Sequence, residues 1–135
     1  MADLNQHLPF PPASGVSSES VAGYSAVLTS SSSANTKGSW AEVIHSLTAA
    51  TCWFIVMFTP FSSNGYFVDI GIGAAASEVA IISDLFLNNQ GTYQGIPMSI
   101  GPIRFPAGTR ISARCQDNAG GGNAGRLIIS VIEVP

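Results

Sequence analysis

The chain has 135 residues, of which only 10% are charged, and a formal net charge of −3. That length fits one domain. No basic cluster is dense enough for a nucleic-acid footprint, and the longest apolar run, CWFIVMF, is far below the roughly 18 residues of a membrane-spanning helix.

Residues 1–20 read as an extended arm. HLPFPPASGVSSES carries three prolines with Ser and Gly, and proline removes backbone donors and disfavours helix in the residue before it. Leu8, Phe10 and Val16 are the apolar side chains the arm can offer to a neighbouring molecule. MADLNQHLPFPPAS lacks both the basic start and the apolar stretch of a signal peptide, so synthesis in a cytoplasm is expected.

Strand signals follow at short intervals, separated by turn residues. They are AGYSAVLTS (22–30), WAEVIHSL (40–47), CWFIVMFTP (52–60), YFVDIGIG (66–73), SEVAIISDLFL (77–87), MSIGPIRF (98–105), TRISARCQ (109–116) and RLIISVIEV (126–134). The second also fits a two-turn helix, because Ser39 and Glu42 have capping-box spacing. Its shortness, with Gly38 before it and TAAT after it, favours a strand. CWFIVMFTP is continuously apolar, as in a strand buried on both faces, and RLIISVIEV is largely apolar on both faces, as in a central strand or one covered by a partner. The pattern predicts an all-β domain of about eight antiparallel strands over residues 21–135, a two-sheet sandwich or a barrel.

Alternation assigns faces. In YFVDIGIG, Tyr66, Val68, Ile70 and Ile72 share one side, and Phe67, Asp69, Gly71 and Gly73 the other. Glycines at 71 and 73 remove bulk where another group approaches closely. In TRISARCQ, Ile111, Ala113 and Cys115 oppose Arg110, Ser112 and Arg114.

Charge is uneven along the chain. Residues 1–95 hold six acids against Lys37 alone, and residues 96–135 hold four arginines against Asp117 and Glu133. A forked guanidinium suits bidentate carboxylate recognition. Arg110 and Arg114 are therefore expected to pair with Asp69, Glu78 or Asp84, within or between subunits. A surface this poor in ions is expected to be covered in part by other subunits.

No catalytic constellation is visible. His7 and His45 have no Cys, Asp or second His beside them. Glu78 and Asp84 share a parity but stand about 20 Å apart along one strand. DIGIG lacks the strand–turn–helix setting of a dinucleotide site, and DNAGGGNAG lacks the Lys-Ser/Thr of a phosphate loop and reads as a flexible loop. Cys52 and Cys115 have no metal-ligand spacing and read as buried thiols, a single disulfide being the alternative. Trp40 and Tyr93 are candidates for a sugar-stacking groove, while Trp53 belongs with the core. No enzyme activity, cofactor or metal is expected.

VDIGIGAAASEVAIISDLFL and FPAGTRISARCQ, with a weaker match in KGSWAEVI, resemble a family of small virion proteins of tailed bacteriophages. The likeness spans residues 37–116. It implies a jelly-roll-like sandwich in a phage particle, foremost a capsid cement or decoration protein at the virion's capsid surface. A carbohydrate-binding module of a tail fibre or tail tip is the alternative. The expected partners are further copies, as a dimer or trimer, and the major capsid protein, with no nucleic acid or membrane. Arg110, Arg114, Asp69, Glu78, Leu8 and Phe10 are the interface candidates.

Overall fold

The structure is a computed structural model and describes residues 20–48, 50–86, 97–101 and 103–133. Eight strands follow in order: β1 Ser20–Thr29, β2 Ala41–Ile44, β3 Thr51–Pro60, β4 Tyr66–Ile72, β5 Val79–Leu85, β6 Met98–Ile100, β7 Ile111–Asp117 and β8 Ala124–Glu133. They form two four-stranded sheets, β1-β8-β3-β6 and β2-β7-β4-β5. All pairings are antiparallel.

The topology has a simple reading. β1 pairs with β8, β2 with β7, β3 with β6 and β4 with β5. The chain is thus one long two-stranded ribbon, doubled back at the connection after β4. Rolling that ribbon brings β8 against β3 and β7 against β4, which splits it into two facing sheets. This is the jelly roll, a sandwich of eight strands.

The apolar pattern fixes which side of each strand turns inward. Leu28, Phe54, Val56, Phe58, Leu127, Ile129 and Val131 face the core from the first sheet. Ile44, Tyr66, Val68, Ile70, Ile111, Ala113 and Cys115 meet them from the second. Aromatic rings lock the layers together: Phe58 and Tyr66 lie 5.1 Å apart at 55°, and Phe54 and Phe105 lie 5.6 Å apart at 45°. Both geometries are favourable tilted contacts. β8 sits between β1 and β3, with Leu127, Ile129 and Val131 in the core and Arg126, Ile128 and Ser130 on the outer, partly exposed face.

Three expectations are refined. The segment 40–47 is a strand, but only over Ala41–Ile44, after which Leu47 exchanges backbone hydrogen bonds with Gly108 and Thr109. The stretch 98–105 is a strand only to Ile100; Phe105 instead turns into the core against Phe54. The loop DNAGGGNAG is tied down. The buried Asp117 carboxylate accepts from the Gly120 amide at 2.7 Å and from Asn64 and Asn123 side chains at 3.2 and 2.6 Å. The Gly121 and Gly122 amides donate to the carbonyls of Ser32 and Ser31. Gly120, Gly121 and Gly122 hold φ of 76°, 90° and 70°, which side chains resist.

The arm with Leu8 and Phe10 lies outside the described residues, save Ser20, which opens β1; so do Tyr93 and the side chains of Cys52 and Trp53. Cys115 is a free, buried thiol whose pKa burial pushes up to about 12.

Gly125 sets one packing limit. A Cβ there would run into the Phe58 ring, which is buried and cannot swing away. Gly125→Ala is expected to lower stability by about 1–3 kcal/mol, read as a reduced urea midpoint at unchanged slope.

Candidate functional site

The outward side of the second sheet gathers most of the chain's ions. Register places Asp69 of β4 opposite Arg114 of β7, and Gly71 opposite Ser112. From the other flank, Glu42 of β2 stands opposite Ser112.

Asp69 is the centre of this face. Its side chain is 2% exposed, a position where a carboxylate needs full compensation. It receives hydrogen bonds from Lys37 Nζ at 2.7 Å, Arg114 Nε at 2.9 Å and the Asp84 amide at 2.9 Å. Burial alone would raise its pKa, but Lys37, the Asp84 amide and Arg114 together hold it below the usual carboxylate value. Lys37 also donates to Asp84 Oδ1 at 2.6 Å.

The local backbone is shaped to serve that carboxylate. Val68 pairs with Leu85 and Ile70 with Ile82, so Asp69 alone faces both Ser83 and Asp84. That is a β-bulge. Asp84 takes φ of 58°, which aims its amide at Asp69, and aspartate is among the few side chains that adopt this region readily.

Arg110 anchors a second cluster. Its Nε donates to Glu42 Oε2 at 2.7 Å, and its Nη1 donates to Glu78 Oε1 and the Gly73 carbonyl, both at 3.0 Å. Arg110's hydrogen bond is the chief cause of a lowered Glu42 pKa. For Glu78 burial pulls upward, yet its own amide and Arg110 leave the carboxyl below its ordinary value. His45 Nδ1 lies 3.3 Å from Glu42 Oε1 at the exposed end of the cluster.

Trp40 lies between the two clusters. The Arg114 guanidinium sits 4.5 Å from its ring centroid, a cation–π contact. The edge of the ring reaches Gly71 so closely that a Cβ there would lie 2.8 Å from it. This is the close approach for which the glycine makes room. The hydroxyl of Ser112, fully buried on the same face, has no hydrogen-bond partner among the described residues. Farther along, Phe67 and Phe86 are exposed and tilt together, with centroids 5.6 Å apart.

Two open clefts border the face. One, of about 470 Å³, is lined by Thr29, Ser30, Lys37, Ser39 and Trp40 among others. The other, of about 720 Å³, is lined by Ile72, Gly73, Val79, Thr109 and Arg110 among others. Among the described residues no group of three or more His, Cys, Asp or Glu is arranged to hold a metal. Three cations pair with four carboxylates, and the arrangement is a clasp joining β2, β4, β5, β7 and the chain between β1 and β2.

The expected pairing of Arg110 and Arg114 with acids therefore occurs within one chain: Arg114 with Asp69, and Arg110 with Glu78. The sequence reading missed Lys37, Glu42 and the Trp40–Gly71 contact. Lys37 carried a signal, as the single cation among six acids in residues 1–95. Leu8 and Phe10 fall outside the described residues.

No family model matches the sequence, and no curated protein matches it. Among solved structures the fold is similar to a chain of the capsid asymmetric unit of cyanophage Pam1, with a TM-score of 0.56 at 12% identity, covering 99% of each chain. The likeness is one of fold, which is a fold that a phage capsid uses.

Two outcomes are expected of this face. Asp69→Ala leaves Lys37 and Arg114 without their shared partner and should cost about 3–5 kcal/mol, seen as a large drop in melting temperature. Because the folded Asp69 pKa is lowered from 3.8, its contribution is complete above that value and fades as pH falls through the lower, folded pKa. The gap between wild type and Asp69→Ala should therefore narrow in acid-titrated denaturation curves. Gly71→Ala should displace the Trp40 ring and shift the tryptophan emission spectrum.

Proposed function

We propose that this protein is a structural component of a phage virion, a cement or decoration subunit that sits as a homo-oligomer on the major capsid protein. The observation that carries the reading is the match of fold over 99% of both chains with a chain of the Pam1 capsid asymmetric unit. Two features support it. The chain is 10% charged, against about 25% in typical soluble domains, which suits a surface that neighbours cover. The phage-virion resemblance of residues 37–116 points the same way.

In this role the chain performs no catalysis. Its contribution is contact area, and an oligomer that bridges several shell subunits turns weak contacts into one strong attachment. The jelly roll supplies a stiff body, and the ion clasp fixes its second sheet. The alternative of a sugar-binding tail module gains no support from Trp40, whose ring is engaged by Arg114 and Gly71.

Quantitative mass spectrometry of purified particles tests the proposal. A shell subunit is expected in hundreds of copies per particle, and particles lacking it should release their DNA at a lower temperature. A handful of copies would mean a tail protein, and none would remove the virion reading altogether.

A further inference from the structure

A sheet edge presents a row of unpaired backbone donors and acceptors, which is a template for a further strand. Among the described residues four strands are edges: β1 and β6 of the first sheet, β2 and β5 of the second. Three of them carry features that discourage pairing. β6 is three residues long. β2 has four residues, includes Glu42 and breaks register before Ile44. β5 shifts register twice against β4 and carries Asp84 at φ of 58°.

β1 has none of these. It runs for ten residues and pairs with β8 at every one without a shift. Its sequence, SVAGYSAVLT, has no charge and no proline. Gly23, Ser25 and Val27 point to the outer side and are exposed, Val27 by 49%. Among the described residues the chain's own backbone closes in at Thr29, where a Cβ on Gly38 would strike the Thr29 carbonyl, and Val27 borders the open cleft lined by Lys37, Ser39 and Trp40. From residue 20 to residue 28 no described residue pairs with the free side of the strand.

We propose that β1 is a self-pairing edge, joined antiparallel to β1 of a second copy across a two-fold axis to make one continuous eight-stranded sheet. A second copy is the occupant for two reasons. A two-fold contact is isologous, so one event covers the open edges of both molecules. An uncharged strand with small outward side chains also meets itself with neither like-charge repulsion nor steric conflict. On the outer face Ile128 and Met57 follow Ser25 in register across β8 and β3, while the exposed Arg126 stands one strand inward, opposite Val27. This inference concerns the isolated chain and stands apart from its place in a virion.

The test uses the full chain. Sedimentation over a wide concentration range should show an even-numbered assembly, and amide hydrogen exchange of β1 should slow as concentration rises. Ser25→Lys and Val27→Lys put like charges across the joint without entering the core, and should weaken association by at least about tenfold at unchanged circular dichroism. Three results would overturn the proposal: a monomer at every concentration; an assembly that both lysine variants retain; or β1 amides protected equally at all concentrations, meaning that the chain's own residues cover the edge.

Discussion

A carboxylate shut away from water keeps its charge only where donors converge on it, and in this fold the convergence at Asp69 sets the form of a whole sheet. The donors arrive from three places that are distant in sequence: Lys37 between β1 and β2, Asp84 on β5, and Arg114 on β7. Each brings a structural consequence. The Asp84 amide can reach Asp69 only because β5 bulges. Arg114, held by Asp69, offers its guanidinium to the Trp40 ring. Lys37 draws the β1–β2 connection down on to the sheet. Replacing such a centre with apolar groups can be neutral, whereas removing one member leaves the others uncompensated.

The economy of charge then has a location. Thirteen side chains are formally charged, and seven of them, Lys37, Glu42, Asp69, Glu78, Asp84, Arg110 and Arg114, meet on the outer face of the second sheet. The first sheet is correspondingly bare: its outward positions Val27, Ile55, Met57 and Ile128 are apolar, with Arg126 exposed among them. The two outer faces thus differ in kind. One is laced with ion pairs, the other presents partly exposed apolar side chains.

Much of this was legible in the sequence, for reasons particular to each element. Alternation in YFVDIGIG and TRISARCQ gave the inward and outward residues of β4 and β7, because a strand has no other way to display a period of two. The apolar character of RLIISVIEV gave a strand with neighbours on both sides. The order of the strands was not legible, because β1 meets β8 across nearly the full chain and no local pattern records a partner so distant. The acids and arginines of the clasp were recognised as complementary, but Lys37 and Glu42 escaped notice: Lys37 lies in a loop, and Glu42 sat in a segment with helical spacing. The length of β6 was misjudged because Ile103 and Phe105 continue the apolar pattern after the strand itself ends at Ile100.

The pairing of Ser20 with Glu133 has a consequence for how the molecule comes into being. β8 is the inner strand on which both β1 and β3 depend. Of the eight strands it is the last to be made, so the earlier strands are present before the one that stitches them together. Folding of such a non-local topology is slow, on the order of milliseconds to seconds, and a prematurely ended product would lose the middle of a sheet instead of a dispensable tail.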